Sequence, residues 1–274
     1  MKSLGKVQID RPGLEKPPLT LRYISSQHLA ISIPQDREMQ QPHTLQLDPE
    51  YAACLAALNE PALPPPSLEL GDIAGRRQRF NTRIQKALST AQPPPTGTPN
   101  VTQRTHKILT PDGATITLEE FRPRKNLSLP AAAATTLSPA IYHLHGGGMI
   151  LGSVAAFAPL IAARAETYGL PVFSIEYRLA PEHPHPTLVN DAYAGLLWLH
   201  ANAGDLAIDR SRIMVLGESA GGGLAAGMAL MARDGNLEPR IAFLMLIYPM
   251  LDDRNVGPRL DVERYTKWRS EDIK

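Results

Sequence analysis

The sequence predicts an α/β protein built on a mostly parallel sheet flanked by helices. Three observations predict it. From residue 140 onward, short apolar runs alternate with longer runs of helical period. Two strand-like runs joined at Pro111-Asp112-Gly113, a hairpin signal, precede them. Glycine-rich segments stand directly after two of the apolar runs. Short apolar strands joined by crossover helices pair in parallel and are buried on both faces.

The elements follow in order. Residues 1–48 are polar and proline-interrupted, and a loop-rich region is expected there. A short helix is expected at 49–59, ended by Pro64, Pro65 and Pro66. Ile73, Arg77, Phe80, Ile84 and Leu88 fall at helical spacing and predict one amphipathic helix. Its basic residues, Arg76, Arg77, Arg79, Arg83 and Lys86, read as a solvated face rather than a binding patch. Residues 91–100, with Pro93, Pro94, Pro95 and Pro99, form a linker. Strands are expected at 101–109 and 114–121, and a surface loop at 127–138. Further strands are expected at 140–144, 171–176, 212–216 and 241–247, with helices at 155–168, 187–200 and 220–233. The chain thus divides into an N-terminal region (1–100), a core (101–249) and the start of a further segment (250–274).

Composition narrows the function classes. The 274 residues suit one large domain or a domain with a cap. With 43% hydrophobic residues, a substantial core can be buried. A net charge of +1 gives no electrostatic footprint for nucleic acid. Cys54 is the single cysteine, so no intrachain disulfide and no cysteine-rich zinc site can form. Residues 1–10 carry no signal-like apolar run, and nothing reaches the ~18 apolar residues of a membrane span. A soluble, cytoplasmic protein is expected, with no cofactor and no metal.

The strongest chemical signal is Gly217-Glu218-Ser219-Ala220-Gly221, between a strand-like run and an Ala/Gly/Leu-rich helical run. A G-x-S-x-G in that context is a nucleophile elbow. The serine stands on a strained turn, so its neighbours two positions away must be small. The turn lifts the hydroxyl above the sheet at a helix N-terminus. Backbone N–H groups and the helix dipole there favour a developing oxyanion. Two other readings use the same glycines. Gly217 and Gly222 have phosphate-loop spacing, but Gly223-Leu224 stands where Lys-Ser/Thr is needed. Gly221-x-Gly223-x-x-Ala226 matches a dinucleotide fingerprint. It does not open the helix directly, and Glu238 precedes the next strand instead of ending it.

His145-Gly146-Gly147-Gly148 follows the strand at 140–144. Three glycines let the backbone turn its N–H groups toward one point. Such a loop supplies the other half of an oxyanion hole, a flexible surface loop being the plainer alternative. Each motif ends its own parallel strand, the edge where open α/β sheets bind ligands.

These residues resemble a known family. His145-Gly146-Gly147-Gly148, Tyr177-Arg178-Leu179-Ala180-Pro181-Glu182-His183-Pro184, Gly217-Glu218-Ser219-Ala220-Gly221-Gly222 and Tyr248-Pro249-Met250-Leu251-Asp252-Asp253 occur in that order. They are similar to motifs of the hormone-sensitive-lipase-like branch of the α/β-hydrolase-fold esterases, over residues 101–274. The resemblance implies the α/β-hydrolase fold, a small-molecule carboxylic ester as substrate, and a cap built partly from N-terminal helices, which fits residues 49–90. By motif position it implies Ser219 as nucleophile and oxyanion donors at the backbone N–H groups of Gly147, Gly148 and Ala220. Met149 stands where many members carry an aromatic residue.

His143 and His145 lie two apart on one strand face, but no carboxylate cluster supports a metal pair. His145, with Gly146, is expected to shape the glycine loop. His183 and His185 alternate with Pro184 and Pro186 and are expected to fix a turn and a helix start. Asp191 and Asp209 are expected to serve as polar partners of helices and turns.

A serine needs a base, and in this fold the partners follow it in the order Asp/Glu, then His. All eight histidines lie at or before position 200. The 27 residues after position 247 are also fewer than the ~30 of one further βαβ unit. The chain therefore reads as a truncated member lacking the C-terminal strands of the fold, with an exposed strand edge near 241–247. Three functions stay open: an esterase chain that is weak or inactive by itself, a non-catalytic ligand-binding or regulatory protein on the same fold, and a nucleotide-binding oxidoreductase.

Overall fold

Strand pairing decides which of these elements become neighbours. A computed structural model describes residues 48–57, 72–90, 100–124 and 137–252, all within one compact unit, Thr44–Lys274. The expected loop-rich start, the prolines at 64–66, the linker at 91–100, the loop at 127–138 and the segment at 250–274 lie wholly or almost wholly outside the described residues. Helices α1 (Pro49–Ala57) and α2 (Ile73–Thr90) come first. They are followed by β1 (Val101–Leu109), β2 (Thr115–Pro123), β3 (Ser138–Leu144), α3 (Val154–Tyr168), β4 (Val172–Glu176), α4 (Thr187–Ala201), β5 (Ile208–Glu218), α5 (Ala220–Asp234) and β6 (Phe243–Ile247).

The six strands form one sheet in the order β1-β2-β4-β3-β5-β6. The β1–β2 hairpin joins it antiparallel, with β2 against β4. The other neighbours are parallel. β5 begins earlier than its apolar run because Ile208 pairs with Ser138, across an irregularity in β3. Local signals set the ends of α3. Ser153 caps its first turn by accepting from the Ala156 N–H at 3.1 Å, and Gly169 closes it in the left-handed conformation.

Alternation along the strands sorts side chains to two layers. Ile141, Val172 and Leu216 pack with Val154, Ile161 and Ala165 of α3. Ala140, Tyr142, Leu144, Phe173, Ile175, Ile213 and Val215 pack on the other face, with α4 and α5. Tyr142 donates its hydroxyl to Ala192 O of α4 at 2.7 Å. The same alternation carries polar groups to the α3 face. His143 Nδ1 meets Ser174 Oγ at 2.8 Å. Arg164 of α3 lies 3.5 Å from His143 Nε2 and forms an ion pair with Glu218. Burial, then the nearby charges of His145 and Arg164, pushes His143 down to about 3. Burial also holds His145 down at about 4. Both rings are neutral at pH 7.

Asp191 is fully buried at the start of α4. It is held by Arg178, which donates from Nε at 2.9 Å and from Nη2 at 2.7 Å. Arg178 also reaches Asp112 in the hairpin turn at 2.8 Å. One guanidinium thereby pins the hairpin to the parallel sheet. Asp209 accepts from Ser211 N–H at 2.9 Å and from Arg212 Nε at 2.8 Å. His183 and Pro186 stand in the turn that opens α4, where His183 N–H donates to Leu179 O at 3.0 Å.

β6 stands at the exposed strand edge expected near 241–247. Phe243, Leu244 and Met245 are 56%, 36% and 39% exposed. The physical reason is position: β6 is an edge strand, paired with β5 alone among the described residues. No described helix is long and apolar enough to cross a membrane.

Two outcomes test this account. Removing the guanidinium in Arg178→Ala leaves the Asp191 charge buried without its counter-ion, and urea unfolding should show a loss of about 3–5 kcal/mol. The depressed histidines set a pH dependence of known sign. The unfolded chain takes up their protons below about pH 6.5, whereas the folded chain resists down to about pH 4 and 3. Stability is therefore complete above pH 6.5 and falls as the pH drops through that window. In His143→Gln the difference in urea stability between pH 7 and pH 5 should shrink by about 2 kcal/mol.

Candidate active site

The path of the chain through the sheet creates a crevice at one place. From β3 the chain moves to β4 on one side, then crosses back to β5 on the other. β3 and β5 are neighbours, with Leu144 aligned to Gly217. Their C-terminal ends thus mark a topological switch point, where open α/β sheets bind ligands. His145-Gly146-Gly147-Gly148 leaves β3 there, and Ser219 leaves β5 there.

Ser219 occupies a conformation that L-residues rarely adopt, φ 54 and ψ −116. The surroundings hold it. Its N–H donates to Ile247 O at 2.9 Å, and its carbonyl accepts from Gly223 N–H at 3.1 Å and Met250 N–H at 2.9 Å. Its side chain stands at the start of the 15-residue α5, the positive end of the helix dipole. The small neighbours are required sterically. A Cβ at Gly217 would lie 2.3 Å from Gly221 O, and one at Gly221 would lie 2.2 Å from Leu144 O. The Ser219 hydroxyl makes no hydrogen bond to any described residue.

The glycine loop folds back over this turn. Gly147 has φ 139, and a Cβ there would lie 2.0 Å from Leu151 O. Ile150 and Leu151 N–H groups both donate to Gly147 O, at 3.2 and 2.8 Å. Gly146 passes so close to the elbow that its Cβ would lie 3.5 Å from Ser219 Cβ. Among the described residues, the N–H groups of Gly147, Gly148 and Ala220 have no acceptor. For Ala220 this follows from its place in the first helical turn.

His145 sits beneath the loop. Its Nδ1 is 2.8 Å from Gly146 O, and Tyr177 donates its hydroxyl to His145 O at 2.7 Å. Its ring is stacked between Tyr177 and Phe157, with centroids at 4.3 and 5.7 Å. His143 faces Ser174 and Arg164 instead, so the two histidines share a face but not a partner. Glu176, 3.8 Å from His145 Nε2, accepts from the Val154 N–H that opens α3. Burial raises the Glu176 carboxyl and the Tyr177 phenol above their ordinary values.

Three contributors escaped the sequence reading. Glu218 and Arg164 pair under the elbow, where the motif leaves the residue before serine unspecified. Arg77 corrects the expectation of a solvated basic face on α2. Its guanidinium donates to Ile150 O at 2.9 Å and to Ala180 O at 3.0 Å, and binds both oxygens of Glu182. The signal was present in the spacing: Arg77 lies on the same helical face as Ile73 and Phe80, which pack against Ile150, Leu151 and Ala180. The dinucleotide reading of Gly221-x-Gly223-x-x-Ala226 meets a steric obstacle. These residues lie inside α5, covered by Leu144 O and Met250 O.

Residues 141–272 match a family model described as alpha/beta hydrolase fold. The carboxylesterase NlhH of Mycobacterium tuberculosis is 44% identical over 111 residues, 40% of this chain and 34% of that protein. The ethyl acetate hydrolase of Pseudomonas putida is 36% identical over 160 residues, 58% of this chain and 47% of that protein. Among solved structures, a bacterial heroin esterase has a TM-score of 0.62 at 35% identity, covering 77% of this chain and 61% of that one. A hyperthermophilic esterase from the archaeon Pyrobaculum calidifontis has a TM-score of 0.64 at 29% identity, covering 84% and 68%. This chain thus spans 34% of the first of these curated relatives and 47% of the second. A serine turn and a glycine loop meeting at the β3–β5 switch point agree with these similarities: the chain has the α/β-hydrolase fold and resembles the hormone-sensitive-lipase-like branch of its esterases.

Proposed function

We propose that this chain carries the nucleophile and the oxyanion-binding loop of a carboxylic-ester hydrolase acting on small-molecule esters. One observation carries the reading. Ser219 stands on a left-handed turn at the N-terminus of α5, next to a glycine loop whose amides are unpaired among the described residues. Relatives named carboxylesterase, arylesterase and ethyl acetate hydrolase support the substrate class.

The chemistry follows from the geometry. Ser219 Oγ attacks the ester carbonyl carbon, and the carbonyl oxygen gains negative charge. The N–H groups of Gly147, Gly148 and Ala220 donate to that oxygen, and the α5 dipole adds to their field. An external base takes the Ser219 hydroxyl proton and returns it to the alcohol oxygen as the C–O bond breaks, so the alcohol leaves neutral and an acyl-serine remains, which water hydrolyses to the free acid and serine. Preorganised donors are effective because they need no reorientation as charge develops; losing one costs ~10²–10³ in rate. His145 and Gly146 shape the loop from below. His145 stays neutral and buried, so it acts through the loop's backbone.

Proton transfer is the limiting part. No histidine follows Ser219, and no described residue accepts its proton. We assign the 274-residue chain alone weak turnover, of the order of the ~10³–10⁴ over water that an oxyanion site retains without its base. A free imidazole can stand in for the base. With p-nitrophenyl acetate and added imidazole, an acetyl group should appear on Ser219 by mass spectrometry and be absent from Ser219→Ala. No adduct on Ser219 at any imidazole concentration would refute the nucleophile. Full, serine-dependent turnover without imidazole would refute the need for an external base. In Gly147→Ala the added methyl group displaces the loop, and imidazole-supported acylation should fall by about 100-fold.

A further inference from the structure

We propose that Arg77 is a positioning residue for the glycine loop, so that α2 is part of the machinery that shapes the oxyanion site. This rests on the reading of Ser219 and the loop given above. The Gly147–Leu151 turn is held by four fastenings. Leu151 and Ile150 N–H groups close it onto Gly147 O. Ala180 N–H, from the loop after β4, donates to Met149 O at 3.0 Å. The fourth comes from outside both loops: Arg77 Nε donates to Ile150 O at 2.9 Å, and Arg77 Nη2 to Ala180 O at 3.0 Å. One planar guanidinium therefore grips a carbonyl of each loop, on either side of the bond that joins them.

The arrangement needs arginine. Only a rigid fork presents donors to two carbonyls and a carboxylate at once; a lysine ammonium acts as a point charge. Glu182 takes the outward edge, with Nη1 at 2.7 Å from Oε1 and Nη2 at 2.8 Å from Oε2. Glu182 is half-exposed, so its pair with Arg77 is screened by water. The carbonyl bonds are part-buried against Ile150 and Ala180, which are 0% and 2% exposed. Apolar contacts continue the link inward. Phe80 of α2 lies 6.2 Å from Phe157, and Phe157 stacks on His145. The helix thus reaches the loop directly through Arg77 and indirectly through the Phe80–Phe157–His145 aromatic chain. A shift of about 1 Å in a reacting group can cost on the order of 10²-fold in rate, so a grip on Ile150 O bears on the Gly147 and Gly148 amides three and two positions away.

Arg77→Met tests this in the full chain, because it keeps the alkyl stem's packing and removes the donors. Arg83→Met, on the exposed side of the same helix, is the control. Hydrogen exchange should quicken about tenfold or more at the Ile150, Leu151 and Ala180 amides of Arg77→Met, and stay at wild-type rates in β3 and β5. The imidazole-supported acylation rate constant of Ser219 should fall about tenfold, with the half-saturating ester concentration unchanged. Arg83→Met should change neither. Unchanged exchange at the three amides would overturn the proposal. So would an equal loss of protection across β3 and β5, which marks a residue that only stabilises the fold. If wild-type Ser219 is not acylated, the ester-hydrolase reading fails, and the exchange experiment alone decides whether Arg77 holds the loop.

Discussion

The backbone of α5 comes so close to the end of β3 that a single methyl group at position 221 would collide with Leu144 O and His145 O, at 2.2 and 2.4 Å. Everything at the site depends on that approach. It lets the helix begin directly where β5 ends, and so forces Ser219 into the left-handed conformation at the turn. It also brings the loop after β3 to within contact of the serine. Glycine at 217 and 221 is the chemical condition for it, and parallel pairing of β3 with β5 is the topological one. The strain at Ser219 is offset by hydrogen bonds to Ile247 and Met250, so β6 is part of the support.

The layer beneath the site is polar rather than apolar, and alternation explains why. Ser174 and Glu176 on β4, His143 on β3 and Glu218 on β5 all project toward α3, among the apolar residues that build that side of the core. Arg164 of α3 answers Glu218, and His143 stays neutral because burial makes its charge costly. Such a network holds only while its members remain paired. It ties the orientation of α3, whose Phe157 stacks on His145, to the strand that presents the proposed nucleophile. The other face is lined mainly by aliphatic and aromatic side chains against α4 and α5, and its buried charge is paired as well: Glu120 meets His106 at 2.8 Å and binds Arg122.

Much of the fold was legible in the chain. Short apolar runs and helical periods located every described strand and helix to within a few residues, because each element carries its own apolar surface. Pro111-Asp112-Gly113 announced the hairpin, and Gly217 to Gly221 announced the elbow. What was not legible depends on partners distant in sequence. Arg77 has the same side chain as Arg76 and Arg79 beside it. Only the rotation of α2 and the closeness of Ile150 and Ala180 decide that it grips two carbonyls. Glu218 carries no motif weight, and its pairing depends on where α3 lies.

By itself, then, the sequence determined the element types, the strained serine turn and the donor-rich glycine loop, since these arise from residues within a few positions of one another. Within these 274 residues, it also placed all eight histidines ahead of Ser219. The tertiary structure decided that the two motifs share one crevice, because only the order β4-β3-β5 makes their strands neighbours at a switch point. It decided too that α2 reaches the loop through Arg77. Strand order and helix docking are set by the sum of many weak, long-range contacts, and no local run of residues encodes them.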